Sequence, residues 1–520
     1  MSTKQFSIEK PTLFSKSKVW DLNESYYKEV GIEAWSSGQV PHNMTSSASV
    51  GETYAELILG ILKDLSRKRK NLDPVYIIEL GAGHGRLAYH IIIHLEHIIE
   101  SLELELPPYC FIISDIVESN LAFFDAHPQF QKYFKKGNLD TAYFDAVNST
   151  EIELRHHNKT LNTDSLSQPI IAIANYFFDS IPSDLLHINN KEIELMQIEL
   201  NASIDPKSSS HEALLKDISI AFNPSDKAAP FYEDEAYNNI INEYQSVKSD
   251  SYFFFPIISL KCISNLKTLS HSGLIVLTMD KGYSQLEDLE NRPLPELIIH
   301  GSFSTWVNYH ALKSYCRKEG GQILEPKMSD FNLQILGLMF VKNKNEYIET
   351  QHAYKRYVDD FGPDDYLSLK KWAYKNSTTI QTTHLIALLR LGCYDSNMFM
   401  KLLPQLKQLL KSITVKERLR LAQTMEKVWT NYFHINEPQD LANEIAGIFY
   451  QLGFYDKALE FYQNSISYFG YKADSYYNKC LCYYQLREDL NFANTLKEGQ
   501  KAFPTYARFV HLTKLDLDAK

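Results

Sequence analysis

The sequence predicts an α/β domain with a mostly parallel sheet, followed by an all-helical domain. Between about residues 74 and 340, short apolar runs alternate with helical stretches. The runs are apolar on both faces, which is typical of strands buried between two layers of helices. From about residue 360 such runs stop and helical periodicity continues. The length of 520 residues supports this division, because one hydrophobic core rarely organises so long a chain.

The expected strands are spaced so that a helix fits between most neighbours. They are VYIIEL (75–80), YCFIISD (109–115), TAYFDA (141–146), IIAIAN (170–175), LIVLTMD (274–280) and LQILGLMFV (333–341). Together they predict an α/β domain over 74–345. Residues 1–73 are expected to form a helical lead-in, with helices over 24–33 and 52–67.

An insertion is expected after the fourth strand. Alternating apolar runs over about 184–250, separated by Asn-Asn and by a Ser/Pro/Lys stretch, predict a β-hairpin with a flexible polar loop at 201–213. Ligands of open α/β sheets bind at the carboxyl edge of the strands, so this insertion can wall a pocket there. The alternative interpretation is that the insertion is only a surface addition without a role in binding.

Composition and charge exclude several classes of protein. The net charge is −11 and no dense Lys/Arg block is present, so a nucleic-acid partner is not expected. The six cysteines are scattered, which indicates neither a disulfide framework nor a zinc site. The most apolar stretch, residues 80–99, is interrupted by His, Arg and Glu, so no membrane span is expected. The beginning of the sequence has no apolar core of a secretory signal, and we expect a cytoplasmic protein.

A weak internal repeat marks the helical region. YQLGFYDKALEFYQNSI recurs as YQLREDLNFANTLKEGQ at a spacing of 34 residues, from Tyr450 to Tyr484. That spacing is the tetratricopeptide period, so residues 360–520 are expected to form a TPR-like helical-repeat domain. Stacked helical repeats bind extended peptides or helices, which predicts a protein substrate or partner for this region.

The strongest chemical motif is VYIIELGAGHGRL, an apolar strand followed by a glycine-rich turn and a helix. Gly81, Gly83 and Gly85 allow a sharp turn and a close approach of the backbone to a ligand. A dinucleotide fingerprint needs a further glycine at the position of Arg86, so a pyrophosphate ligand is disfavoured.

Three acids follow successive strands. Glu79 lies at the end of the first strand and suits a ligand that carries an ammonium and a sulfonium, as S-adenosylmethionine does. Asp115 ends the second strand, where a carboxylate can accept both ribose hydroxyls. Asp145 follows the weak third strand and is placed to accept the adenine amino group. The alternative for each acid is a turn or helix cap.

The motifs resemble the MidA-like family of class I S-adenosylmethionine-dependent methyltransferases, which includes mitochondrial complex I assembly-factor arginine methyltransferases. The resemblance covers about 36–345. It rests on MTSSASVGETYAELI, ELGAGHGRL, ANYFFDSIP (174–182), DKGY (280–283) and WVNYHAL (306–312). It implies a Rossmann-like methyltransferase domain, S-adenosylmethionine as the cofactor, and an arginine of a protein partner as the acceptor.

The sequence departs from the family pattern at three positions. Tyr176 stands where the family has glutamate, Lys281 where it has tyrosine, and Asn308 where it has aspartate, while Asp179 and Asp280 remain. A guanidinium must be held by carboxylates or lose a proton before it can act as a nucleophile, so these losses weaken the expectation of arginine as acceptor.

Three residues are the candidates for catalysis. Asn175, at the end of the fourth strand, is expected to fix the acceptor, Asp179 to accept its proton or hold its charge, and Tyr283 to line the acceptor side. Capping and packing are their alternative roles. The competing hypothesis is a cofactor-binding pseudoenzyme that serves as a protein scaffold. His90 and His94 lack the H-E-x-x-H pattern, so no metal site is predicted.

Overall fold

The computed structural model describes residues 5–67, 73–297, 302–327 and 333–518, which form two compact units. The first unit continues to Asp365; the second begins at Tyr366 and also takes in Ser47–Ser49. The first is α/β and the second is helical, which confirms the predicted order of the two fold classes.

The strands of the described chain all lie in the first unit. They are β1 (Phe6–Leu13), β2 (Val75–Glu79), β3 (Tyr109–Asp115), β4 (Leu139–Tyr143), β5 (Ile152–Leu154), β6 (Lys159–Leu161), β7 (Ile170–Asn175), β8 (Asp184–Asn189), β9 (Glu192–Ala202), β10 (Ser219–Pro224), β11 (Ser251–Phe255), β12 (Gly273–Tyr283), β13 (Val307–Asn308), β14 (Gln322–Leu324) and β15 (Leu333–Val341).

Helices connect many of these strands and make up most of the described second unit. Those of the first unit are α1 (Lys18–Val30), α2 (Glu33–Ser36), α3 (Ala48–Arg67), α4 (Arg86–Ser101), α5 (Glu118–Ala126), α6 (Gln131–Lys136), α7 (His211–Asp217), α8 (Glu235–Glu243), α9 (Ile257–Thr268), α10 (Tyr309–Lys318) and α11 (Ile348–Tyr354). The helical region consists of α12 (Pro363–Lys375), α13 (Thr382–Leu391), α14 (Ser396–Leu409), α15 (Val415–Thr430), α16 (Leu441–Gln451), α17 (Tyr455–Phe469), α18 (Ala473–Leu486), α19 (Asp489–Ala502) and α20 (Arg508–Asp518).

A mixed sheet forms the centre of the first unit. Its strand order is β14-β15-β12-β7-β2-β3-β4, with β13 paired to β12 beside this path. The strands from β12 to β4 run parallel, while β15 and β14 are antiparallel to their neighbours. Every residue of β2 is buried, as expected for a strand covered on both faces. The carboxyl ends of β2, β3, β7 and β12 therefore meet at one edge, where ligands of such sheets bind.

A second, antiparallel sheet is built mainly from the insertion. Its order is β1-β9-β8-β11, with β10 paired to β9. β8 and β9 form the expected hairpin around Asn190 and Lys191. Two expectations need correction here. The lead-in is helical only from Lys18, because β1 pairs with β9. The loop expected to be flexible is shorter than 201–213, because its first two residues belong to β9 and its last three to α7; at its start, the Asp217 carboxylate accepts the N–H groups of Ser203 (2.6 Å) and Ile204 (3.0 Å).

The second unit is helical throughout its described residues. Helices α17 and α19 begin 34 residues apart, at Tyr455 and Asp489. Helix α16 precedes α17, and helix α18 precedes α19, so each forms a pair of successive helices. This agrees with the spacing read from the sequence, while the tetratricopeptide assignment itself stays a prediction. Nowhere in the described chain is a helix both long enough and apolar enough to cross a bilayer.

Candidate functional site

A cavity of about 1150 Å³ opens at the carboxyl edge of the central sheet. It is lined by the glycine turn after β2, by the ends of β3, β7 and β12, and by the segment around α1 and α2. Eight of the nine predicted site residues line it: Glu79, Gly81, Gly83, Asp115, Asp145, Asn175, Asp179 and Tyr283. The structure thus brings together residues that lie more than 200 positions apart in the sequence.

The ninth residue, Gly85, supports the turn from behind. Its φ of 74° is left-handed, and it forms the N-cap of α4. A Cβ on Gly85 would lie 2.8 Å from Phe124, so only glycine fits both the backbone and the packing. Gly85 is therefore required for the shape of the turn, and the expected direct contact with a ligand does not follow from its position.

Glu79 is a buried acid with an unused oxygen. Its side chain is 3% exposed, and its Oε2 atom has no hydrogen-bond partner among the described residues. Burial, with a smaller contribution from Asp115, raises the pKa of Glu79 to about 8. A buried carboxyl oxygen without a partner is costly unless the carboxyl is protonated or the oxygen meets a cation. The position therefore suits a cationic ligand group, as the sequence predicted.

Asp115 holds the glycine turn. Its Oδ2 accepts the N–H of Gly83 (2.8 Å) and its Oδ1 accepts the N–H of Val117 (2.8 Å). Burial raises its pKa to about 6 in spite of these bonds. The predicted contact with ribose hydroxyls stays a prediction.

Asp145 caps the turn after β4. Its Oδ1 accepts the N–H of Val147 (2.8 Å), and its Oδ2 accepts the side-chain amide of Asn148 (2.7 Å). It lines the cavity from this turn. The capping role that the sequence offered as an alternative is present, and the adenine contact stays a prediction.

Asn175 ties the end of β7 to the segment before α3. Its Oδ1 accepts from the Tyr54 hydroxyl (3.3 Å), and its Nδ2 donates to the carbonyl of Thr45 (3.1 Å). One lone pair and one N–H remain after these bonds. The side chain is held in place and can still bind an acceptor group.

Two buried acids, Asp179 and Asp280, lie at the ends of β7 and β12. The Oδ1 of Asp179 accepts from the Ser180 hydroxyl (2.7 Å), and an oxygen of Asp280 accepts from the Phe178 N–H (3.2 Å). Burial raises the pKa of Asp179 to about 6. Burial and the charge of Asp179 hold the pKa of Asp280 well above its usual range. Of these two acids, only Asp179 lines the cavity. Asp280 can therefore influence the cavity only through its charge and its neighbours.

An aromatic group forms the opposite side of the cavity. Tyr283 stacks on Trp306 with ring centroids 5.1 Å apart, and the guanidinium of Arg292 lies 4.3 Å from the Tyr283 ring centre. Tyr283 is 9% exposed, whereas Trp306 is 37% exposed. Both the packing role and the predicted lining role of Tyr283 are therefore present.

The three departures from the family pattern have different locations. Tyr176 lines the cavity in a left-handed conformation with φ of 53°, and Lys281 lines it as an exposed residue. Asn308 is fully buried, caps α10 through the Ala311 N–H (3.0 Å), and donates to the Phe254 carbonyl (3.0 Å). It is not a lining residue. The replacement of the family's aspartate by Asn308 therefore does not remove an acid from the cavity, and that expectation was wrong.

Several lining residues were missed in the sequence. The segment around α1 and α2 contributes Trp20, Tyr27, Trp35 and His42, and Tyr27 and Trp35 stack with centroids 5.6 Å apart. Their signal was the concentration of aromatic residues within a polar lead-in. Helical periodicity alone does not show which element such residues face.

One group of potential metal ligands lies away from the cavity. Cys110, Asp140 and His157 are the cluster found among the described residues. Asp140 already accepts the backbone N–H groups of Thr141 (2.7 Å), His156 (2.9 Å) and His157 (3.0 Å). These bonds account for the buried acid as part of a turn, and the predicted absence of a metal stays a prediction.

Comparison with known proteins finds a similarity within the first unit. Residues 54–304 match the model of a family described as "Putative S-adenosyl-L-methionine-dependent methyltransferase". No curated protein matches the chain. Solved structures also show similarity at low identity, three of them as follows.

The first is an uncharacterised protein from Burkholderia thailandensis, 13% identical over 61% of this chain and 73% of that one, with a TM-score of 0.37. The second, also from Burkholderia thailandensis, is described as a "likely methyl transferase" bound to S-adenosyl-homocysteine; it is 12% identical over 59% and 79%, with a TM-score of 0.36. The third is the CMeT domain of citrinin polyketide synthase, 10% identical over 54% and 50%, with a TM-score of 0.24.

The matched segment contains the glycine turn with Glu79 and the predicted catalytic residues Asn175, Asp179 and Tyr283. Residues 54–304, slightly less than half of the chain, are therefore similar to the family of putative S-adenosyl-L-methionine-dependent methyltransferases.

Proposed function

We propose that the chain is an active class I methyltransferase that transfers the methyl group of S-adenosylmethionine to a side chain of a protein. The supporting observation is that one cavity joins the predicted cofactor residues with the predicted acceptor residues. Its volume exceeds that of most small-ligand sites, which leaves room for a cofactor and an acceptor together.

The residues present fit this cofactor. The unused Oε2 of Glu79 suits the ammonium of the methionine part. Asp115 and Asp145 line the same cavity, and in this proposal they bind the ribose and the adenine. When bound, S-adenosylmethionine supplies an electrophilic methyl group on a sulfonium. The chain then has to bind and orient both reactants and exclude water, because alignment is the main contribution of an enzyme to such a displacement.

The acceptor side offers a base and an anchor. Asp179, with a pKa of about 6, is mostly ionised at neutral pH and can accept a proton or hold a cationic group. Asn175 is fixed by Tyr54 and Thr45 and presents its remaining N–H. Tyr283 stacks on Trp306 and lines the same cavity.

Arginine is the candidate acceptor within this proposal. A guanidinium is held by carboxylates, and Asp179 lines the cavity with Asp280 behind it. Tyr176 replaces the family's glutamate, which removes one carboxylate from the lining. The helical unit would recruit the protein substrate, since stacked helices bind peptides.

The test is binding and transfer with the full chain. We expect S-adenosylhomocysteine to give a calorimetric signal with wild type and none with Gly83→Arg. Incubation with methyl-labelled cofactor and a cell lysate should label a protein on an arginine. Binding without transfer would favour the scaffold hypothesis, and the absence of binding by wild type would exclude the cofactor site.

A further inference from the structure

A pair of histidines lies at the glycine-turn end of the cavity, next to a buried arginine. His84 and His42 line the cavity, and their ring centroids are 4.8 Å apart. Both are buried, with exposures of 5% and 7%. The neighbouring Arg86, at the start of α4, is also buried. None of these three residues belongs to the predicted cofactor-binding or catalytic set.

The hydrogen bonds fix the proton positions on both rings. A guanidinium has only donors, so the His42 Nε2 atom, 3.1 Å from Arg86 Nη1, must be an acceptor. The proton of a neutral His42 is then on Nδ1, which lies 3.4 Å from the Val40 carbonyl. Both ring nitrogens of His42 therefore have hydrogen-bond partners within the protein.

His84 has the opposite arrangement. Its Nδ1 accepts the backbone N–H of Arg86 (3.1 Å), so the proton of the neutral ring is on Nε2. Burial and the nearby His42 and Arg86 hold the pKa of His84 well below its usual range, which keeps the ring neutral. No hydrogen bond to this Nε2–H is present within the described residues. It is a donor with a fixed tautomer on a side chain that lines the cavity.

The loop that carries His42 is itself held. The hydroxyls of Thr45 (3.1 Å) and Ser46 (2.9 Å) donate to the His42 carbonyl. Trp35 packs edge-on against the His84 ring with centroids 5.6 Å apart. The donor of His84 is thus preorganised, which lowers the cost of binding.

The two sides of the turn differ in charge. Glu79 and Asp115 present acids, whereas His84 presents an N–H with the Arg86 cation behind it. A zwitterionic group is bound favourably in one orientation only, with its ammonium at Glu79 and its carboxylate at His84. The reverse orientation would place the carboxylate against two acids.

We propose that His84, supported by Arg86 and His42, forms the binding site for the α-carboxylate of the methionine part of the cofactor. This inference rests on the proposed function. His84 would donate from Nε2 to a carboxylate oxygen, and the positive charge of Arg86 would strengthen that bond. His42 is a positioning residue, because its ring is occupied by Arg86.

The test compares two ligands on the full chain by calorimetry. S-adenosylhomocysteine carries the carboxylate, and its carboxamide analogue carries a neutral amide of nearly the same shape. A hydrogen bond to a charged group corresponds to about a 10- to 100-fold change in affinity. We expect wild type to prefer the carboxylate ligand by that ratio, and His84→Ala to lose the preference while binding the carboxamide within about twofold of wild type.

Two variants complete the design. His84→Gln keeps an N–H donor near the same place and should retain most of the preference, whereas His97→Ala, on the exposed face of α4, should leave it unchanged. If His84→Ala fails to fold, as judged by circular dichroism, the Gln variant and wild type still decide. An equal affinity of wild type for both ligands, or an unchanged preference in folded His84→Ala, overturns the inference while the proposed cofactor site stands. No binding of either ligand by wild type refutes the proposed function itself.

Discussion

Glu79 is the residue whose protonation state should change most when the cofactor binds. In the free protein its pKa of about 8 keeps it mostly protonated at pH 7. An ammonium beside the carboxyl favours the ionised form, so the proton leaves on binding. We expect release of about 0.9 proton per S-adenosylhomocysteine at pH 7. Calorimetry in buffers of different ionisation enthalpy measures this number.

The matched variants are Glu79→Gln, which has no proton to release, and Glu153→Gln, an exposed acid on β5. Glu79→Gln should release no proton from this position and should bind S-adenosylhomocysteine more weakly. Glu153→Gln should match wild type in both proton release and affinity. Release by Glu79→Gln equal to that of wild type would assign the proton to another group.

The same acid predicts how stability depends on pH. The folded-state pKa of Glu79 is raised above the ordinary value of 4.5. The unfolded chain therefore loses this proton first as pH rises, and stability present below about pH 4.5 is lost progressively up to about pH 8. Glu79→Gln removes this loss. At pH 8 we expect the ligand-free variant to exceed wild type by about 2 to 4 kcal/mol in free energy of unfolding.

Urea unfolding at pH 5 and pH 8 checks this expectation. The difference between variant and wild type should shrink to about 1 kcal/mol or less at pH 5, because the folded wild type is then protonated at this position and the pH is only half a unit above the unfolded-state pKa of 4.5. A difference that does not change with pH would mean that Glu79 is ionised in the folded protein.

At the level of elements, the sequence predicted the glycine turn and the strand-end acids, because parallel strands bring their carboxyl ends to one edge. It did not predict β1. FSIEKPTL contains a proline and polar residues, and it becomes a strand through its long-range pairing with β9. Local patterns do not encode such a partner. Asn308 was placed wrongly for a similar reason, since the motif showed its neighbours in sequence but not its burial.

The glycine turn can be tested as an element by comparing two glycines with similar backbones. Gly83 has a φ of 60°, and a Cβ there would lie 2.8 Å from Trp35; Gly38 has a φ of 81° and nothing within 4 Å. Alanine at either position adds about 1 kcal/mol of backbone strain. Only Gly83→Ala should also displace Trp35 and weaken S-adenosylhomocysteine binding, by about tenfold or more. Equal binding by the two variants would show that the turn tolerates a side chain.

For the whole molecule, the division into two units places helix α11 with the α/β part. The buried carboxylate of Asp64 accepts from the N–H of Glu349 (3.0 Å) and from the N–H and hydroxyl of Thr350 (both 2.8 Å). Without these donors Asp64 keeps only the Arg67 guanidinium, 3.8 Å away, and the free energy of unfolding should fall by about 1 to 3 kcal/mol. The α/β unit therefore needs the residues that follow its last strand.

Two truncations separate the roles of the units. A chain that ends at residue 365 keeps α11 and should bind S-adenosylhomocysteine within about twofold of the full chain. A chain that ends at residue 345, where the sequence placed the end of the α/β domain, should unfold at lower urea concentration, because Asp64 loses its donors. Labelling of the protein target should be lost in the first truncation although the cofactor still binds. Full labelling by the 365-residue chain would show that the α/β unit recognises its substrate alone.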